Sequence, residues 1–125
     1  MNITFKKGLL GLEEYKEFNL MESEDIRPYK VLQSNKDENI GLVLISPFDI
    51  YKEYEVEIDD KTINEMKIKS EEEIMLYTTV NLNTATTNLR APIIINVAEG
   101  IGKQIILQNE EYEIKHPISK GWLKC

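Results

Sequence analysis

Residues 74–82, Ile-Met-Leu-Tyr-Thr-Thr-Val-Asn-Leu, indicate the fold class more clearly than any other stretch of the chain. Every second side chain from Ile74 to Leu82 would point to one face, while Met75, Tyr77 and Thr79 would point to the other, and this period of two is the pattern of a β-strand. Isoleucine, valine, threonine and tyrosine are also the residues that a pleated sheet favours. The stretch is therefore predicted to be a long β-strand.

Further strands are predicted on both sides of this segment. The clearest are residues 41–45, 54–58, 93–97 and 103–107, and weaker ones are residues 18–21, 29–33 and 112–115. Residues 99–102, Glu-Gly-Ile-Gly, are predicted to form a hairpin turn between two of the strands. Many short strands separated by turns are typical of all-β domains, so we expect a small antiparallel β-barrel or a bent β-sandwich.

Helical structure is predicted in only one or two short turns. Asp59 or Asp60 can cap a helix over residues 61–67, with Ile63 and Met66 on its buried side. Ser70 followed by Glu71, Glu72 and Glu73 suits a single further turn. With 125 residues and no linker or repeat, residues 1–125 are expected to form one domain.

The acidic charge of the chain is unevenly distributed. The net charge is −7, and residues 53–73 alone hold nine acids against three bases. Such a surface repels phosphate backbones, so direct binding to nucleic acid is not expected, and a basic protein is the natural partner. The alternative is that acids such as Glu71, Glu72 and Glu73 only keep an exposed face solvated.

The residues that carry most enzyme chemistry are scarce. His116 is the only histidine and Cys125 the only cysteine, too few for a zinc site of the usual type, so no metal, cofactor or catalytic activity is predicted. No signal peptide or membrane-spanning segment is visible, which predicts a cytoplasmic protein. Two alternatives from other classes are a small hydrolase that pairs His116 with a carboxylate such as Asp49, and an OB-like RNA-binding barrel that uses Tyr51, Tyr54 and Tyr77.

Residues 87–92, Thr-Asn-Leu-Arg-Ala-Pro, interrupt two strong strands with polar groups. Because arginine is enriched at the centres of interfaces, Asn88 and Arg90 are predicted to contribute to a protein-binding surface, and Arg90→Ala would then leave stability unchanged. The alternative is a structural connection in which Asn88 satisfies backbone groups.

The polar connection and its surroundings resemble the FliW flagellar assembly factors. Residues 87–96 resemble the family signature T-x-N-L-x-A-P-I-x-I-N, and the other family motifs follow in order over about residues 3–118, namely 8–12 (Gly-Leu-Leu-Gly-Leu), 32–34 (Leu-Gln-Ser), 46–48 (Ser-Pro-Phe), 102–107 (Gly-Lys-Gln-Ile-Ile-Leu), Tyr112 and 116–118 (His-Pro-Ile). Leu10 stands where the family usually has proline, and Ser46 where it usually has aspartate. The family usually carries one more strand before the turn at residues 8–12, and a domain without that strand is expected here.

The resemblance implies a regulatory binding protein. Proteins of this family bind flagellin and also CsrA, a homodimeric repressor of flagellin translation, and thereby couple the synthesis of flagellin to its secretion. Alone, the chain is expected to be a monomer. The residues predicted to contact partners are Asn88, Arg90, Phe48, Asp49, Gln104, His116, Glu71, Glu72 and Glu73.

Overall fold

The computed structural model describes residues 1–118, which form nine β-strands and one short α-helix. The strands are β1 Asn2–Thr4, β2 Glu17–Glu22, β3 Lys30–Ser34, β4 Gly41–Ile45, β5 Ile74–Asn81, β6 Thr86–Thr87, β7 Ile93–Asn96, β8 Ile101–Gln104 and β9 His116–Pro117. The helix α1 is Asp60–Glu65, and three-residue 3-10 helices lie at Glu24–Ile26, Pro47–Asp49 and Glu71–Glu73.

Seven of these strands close into a barrel in the order β5, β4, β3, β2, β1, β8, β7 and back to β5. Closure occurs where Leu44 of β4 pairs with Thr79 of β5. Neighbouring strands are antiparallel except β1 and β8, which are parallel where Thr4 pairs with Ile101. The small β6–β9 pair extends from the end of β5. The prediction of a small β-barrel with little helix is confirmed, although the structure has four short helical turns where the sequence predicts one or two.

Alternate residues of the strands point into the barrel and fill it. Ile93 and Ile95 of β7 face inward, whereas Asn96 points to the outer wall. Phe5 and Phe18 meet edge to face with ring centroids 5.6 Å apart. The buried inner cluster comprises Ile3, Phe5, Leu9, Phe18, Leu32, Leu44, Tyr77, Ile93 and Ile95.

Residues 46–70, called here the covering segment, connect β4 to β5 and contact the outer wall of the barrel. Asp59, one of the two predicted caps, begins its helix, because Asp59 Oδ1 accepts a hydrogen bond from the Thr62 amide at 2.8 Å, and the helix spans Asp60–Glu65 instead of the predicted 61–67. Met66, just after the helix, is 1% exposed. Asn96 Nδ2 donates to the Met66 carbonyl oxygen at 2.9 Å, so a buried amide fastens this segment to β7.

The prediction of a strand at residues 54–58 is wrong. The segment is irregular in the structure, and none of its residues pairs in the sheet. Val56 and Ile58 line one groove with the outer side chains Ile74 and Leu76 of β5, so the segment packs on the face of the sheet instead of pairing beside a strand. Its burial still alternates, with Tyr54 buried and Glu55 and Glu57 exposed.

Three smaller predictions, all for residues between 99 and 115, are also wrong in detail. Residues 112–115 form no strand, because the Tyr112 ring is drawn into a buried cluster, and the strand in this region is β9. The turn lies at residues 97–100 instead of 99–102. Gly102 belongs to β8, which begins at Ile101 and ends at Gln104, earlier than the predicted 103–107.

Candidate protein-binding surface

Aromatic rings join the covering segment to the polar connection at residues 87–92. The rings of Tyr54 and Tyr112 lie 4.7 Å apart, and the Tyr54 hydroxyl donates to the Leu89 carbonyl oxygen at 2.7 Å. Burial raises the pKa of the Tyr54 phenol, and the neighbouring Tyr112 raises it further, so Tyr54 stays a neutral donor. The Tyr112 hydroxyl in turn accepts from the Glu55 amide at 2.8 Å. The position of the covering segment is therefore held by hydrogen bonds and by packing.

The polar connection is held by hydrogen bonds to other parts of the chain. The Thr87 hydroxyl lies 2.7 Å from the Thr79 carbonyl oxygen, and Asn88 Oδ1 accepts from the Arg90 amide at 3.0 Å. Arg90 Nε donates to the Tyr112 carbonyl oxygen at 2.9 Å, and Nη2 donates to that of Glu110 at 3.1 Å. The arginine thus fastens the segment that follows β8. A contact of Arg90 with a partner stays a prediction, and these bonds assign it a structural role as well.

We expect Arg90→Ala to lower the free energy of unfolding by about 2 kcal/mol, because hydrogen bonds to charged groups contribute about 1.5–3 kcal/mol. Chemical denaturation of the purified chain measures this. The matched control is Arg27→Ala, since within residues 1–118 the Arg27 side chain makes only a surface ion pair with Glu24 at 3.4 Å, worth at most about 1 kcal/mol. Equal stability of Arg90→Ala and the wild type would show that the two bonds contribute nothing net.

Gln104 and His116 also make contacts within the chain. Gln104 Oε1 accepts from the Leu10 amide at 2.9 Å, while its Nε2 donates to the Ala91 carbonyl oxygen at 2.9 Å. His116 Nδ1 lies 3.2 Å from Glu113 Oε1, and its ring packs edge to face on Tyr51. Gln104 therefore links the turn at residues 8–12 to the polar connection at residues 87–92.

The geometry that the two alternative functions need is not assembled in residues 1–118. The carboxylate beside His116 is Glu113, whose side chain is 60% exposed, whereas Asp49 lines a separate cleft with Arg27. Tyr54 and Tyr77, which an RNA-binding barrel would use as stacking platforms, are buried at 3% and 2% exposure. Neither the predicted hydrolase pair nor the predicted stacking surface is formed.

An apolar groove runs between the covering segment and the outer face of β5. Its volume is about 430 Å³, and Phe48 at its border is 46% exposed. One acid, Glu71, also lines the groove. The next residue, Glu72, is exposed, and Glu73 accepts a hydrogen bond from the Lys69 amide. The groove, so named below, is lined by Phe48, Val56, Ile58, Ile63, Ile68, Glu71, Ile74 and Leu76.

An acidic cleft lies on the other side of residues 54–58. It has a volume of about 410 Å³, and the carboxylates of Glu55, Glu57 and Asp59 line it together with Tyr112 and residues 105–109. Ile106, in that second stretch, is 60% exposed. The alternation of the segment thus separates an apolar surface from an acidic one, and both are open to a partner.

The structure divides the predicted partner-binding residues between several surfaces. Phe48 and Glu71 meet at the groove, whereas Asn88 and Gln104 share a different open cleft beside β4 and β5. The sequence did not single out Val56, Ile58, Ile63 and Ile68, which line the groove, as candidate binding residues. The alternating pattern of residues 54–58 was the available signal, but by itself it predicts a β-strand.

The fold and these surfaces define a small closed β-barrel with an apolar groove beside an acidic cleft. Residues 1–118 match the profile of the family described as FliW protein. The chain is 50% identical over 127 residues to the flagellar assembly factor FliW of Clostridium tetani, covering 98% of this chain and 88% of that protein. It is 43% identical over 125 residues to the flagellar assembly factor FliW of Clostridioides difficile, covering 97% and 96%.

A solved structure described as the crystal structure of the flagellar assembly factor FliW is also similar. Its TM-score is 0.85 at 38% identity, and the match covers 95% of this chain and 86% of that one. The chain therefore belongs to the FliW family of flagellar assembly factors. Within residues 1–118, the structure contains no helix with the length and apolar character needed to cross a membrane.

Proposed function

We propose that this chain is a cytoplasmic regulator that binds flagellin and antagonises CsrA, so that flagellin synthesis is coupled to flagellin secretion. Membership of the FliW family supports the proposal, because the resemblance implies both partners. The observation that carries it is the exposed apolar groove beside an acidic cleft: an apolar patch with a polar border is typical of a protein-binding site. In this proposal the chain is a monomer on its own, acts without catalysis and makes no direct contact with nucleic acid.

A competition experiment with purified proteins tests this function. The chain is titrated with flagellin and, separately, with the CsrA homodimer, and binding is measured by calorimetry. CsrA bound to a flagellin leader RNA is then mixed with the chain, with and without flagellin. We expect the chain to release the RNA and flagellin to prevent that release. If neither protein bound the chain, the proposed function would be refuted.

The acidic residues Glu71, Glu72 and Glu73 are proposed to steer the basic partner during association. Replacing all three with lysine is expected to lower the association rate constant for CsrA by about tenfold and to raise the dissociation rate less, since steering acts on encounter. The effect should shrink as salt rises. Stopped-flow mixing at several ionic strengths measures it.

A matched control separates local steering from net charge. Replacing Glu14, Asp25 and Glu38 with lysine changes the net charge by the same amount at exposed positions outside the groove and the cleft. This variant should associate faster than the one changed at Glu71, Glu72 and Glu73. Equal rates in the two variants, or rates that do not depend on salt, would show that those three acids only solvate the surface.

A further inference from the structure

We propose that Val56–Ile58 form an open β-edge, and that an extended, alternately basic and apolar segment of a partner protein pairs with it as an added strand. The inference rests on the proposed function in that it needs a protein partner, and it deepens that function by naming where and in what conformation a segment binds. Three observations carry it: free backbone groups, alternating side chains, and the acids Glu55 and Glu57 that line the cleft without an ion pair.

The backbone of Val56, Glu57 and Ile58 makes no hydrogen bond to any group in residues 1–118. On either side, the backbone is occupied. The Tyr112 hydroxyl bonds both the amide and the carbonyl oxygen of Glu55, and the Asp59 carbonyl oxygen accepts from Ile63 in α1. Unpaired N–H and C=O groups in an extended segment are a template for another strand. The open edge is thus limited to three residues.

The side chains of the same segment already have the arrangement of a half-buried strand. Val56 and Ile58 line the apolar groove, whereas Glu55 and Glu57 line the acidic cleft. The sequence has the strand period of two here, yet none of residues 54–58 pairs with a strand of the barrel. A strand-forming sequence with no strand beside it points to a partner that supplies one.

The chemistry of the occupant follows from these two faces. Residues directly opposite each other in a pair of strands share a face. An added strand would therefore place apolar side chains over the groove and the intervening side chains over the acidic cleft. Neither Glu55 nor Glu57 forms an ion pair with any lysine or arginine in residues 1–118. Lysine or arginine at the intervening positions would supply the missing charge.

The test uses the full chain and a synthetic seven-residue peptide in which lysine alternates with valine. A peptide of the same composition, with its lysines and valines in separate blocks, is the control. We expect the alternating peptide to bind about tenfold more tightly and to slow hydrogen exchange at the amides of residues 56–58. Methylation of the peptide backbone nitrogens that face the edge should abolish binding, because it removes the pairing bonds.

Variants of the chain test the acidic side of the edge. Glu57→Lys should weaken binding of the alternating peptide about tenfold, while Glu38→Lys, an equal charge change at a distant exposed site, should leave it nearly unchanged. Three results would overturn the inference: equal binding of both peptides, unchanged binding after methylation, or a bound peptide that is helical by circular dichroism.

The binding measurements distinguish a failure of the proposed β-edge from a failure of the proposed function. If the wild-type chain bound flagellin and CsrA, and Glu57→Lys bound both with unchanged affinity, the function would stand and the edge would fail. If the wild-type chain bound neither protein, the function would fail, while the peptide measurements would still decide whether the edge pairs with a strand.

Discussion

Asn96→Ala is expected to lower the free energy of unfolding by about 3 kcal/mol, since each stranded buried group costs about 1–3 kcal/mol. Asn96 is 0% exposed. Its Nδ2 donates to the Met66 carbonyl oxygen at 2.9 Å, and its Oδ1 accepts from the Ala98 amide at 3.0 Å. Alanine would leave both backbone groups without these partners. The change should lower the melting temperature by about 10 °C.

The Asn96→Ala change is also expected to affect the apolar groove. The Asn96 amide holds the end of α1, and Ile63 in that helix lines the apolar groove. Hydrogen exchange at residues 60–66 should therefore become faster in Asn96→Ala than global unfolding alone explains. Asn83→Ala is the control, because Asn83 is exposed and its side chain makes no hydrogen bond in residues 1–118. A loss below about 1 kcal/mol in Asn96→Ala would mean that water replaces the amide.

Gly102→Ala is expected to destabilise the barrel by about 3 kcal/mol, at the upper end of the usual cost of overpacking. A Cβ at this position in β8 would lie 2.3 Å from Phe5 Cε1 and 2.9 Å from Ile3 Cγ2. Both neighbours are 0% exposed, so neither can move into solvent. Denaturant titration measures the loss. Interior packing near crystal density leaves no room for the ring to shift without strain elsewhere.

A double-mutant cycle shows whether the clash with Phe5 is the cause. Phe5→Leu shortens the side chain, so Gly102→Ala should cost less in the Phe5→Leu background than in the wild type. Gly11→Ala supplies a contrast, because nothing lies within 4 Å of its Cβ position. Its φ of +81° alone should cost about 1–2 kcal/mol. If Gly102→Ala cost the same in both backgrounds, the steric explanation would be wrong.

Partner-binding residues are harder to predict than strands because their neighbours are distant in sequence. The polar connection at residues 87–92 stands out in the sequence, yet Arg90 contacts carbonyl oxygens of Glu110 and Tyr112, about twenty residues later. The apolar groove collects side chains from Phe48 to Leu76, and apart from Glu71 each is an ordinary hydrophobic residue by itself. No local pattern indicates that these side chains meet at the surface instead of inside the barrel.

Local chemistry let the sequence by itself determine the β class, strand β4 at Gly41–Ile45 and a helix cap at Asp59 or Asp60, of which the structure has Asp59. Hydrophobic period and capping depend on residues within a few positions of each other, so they can be recognised without tertiary contacts. Only the tertiary structure decided that residues 54–58 remain unpaired and that Gly102 lies in a strand against Phe5. Strand pairing and close packing depend on which edges and spaces the rest of the barrel has already filled.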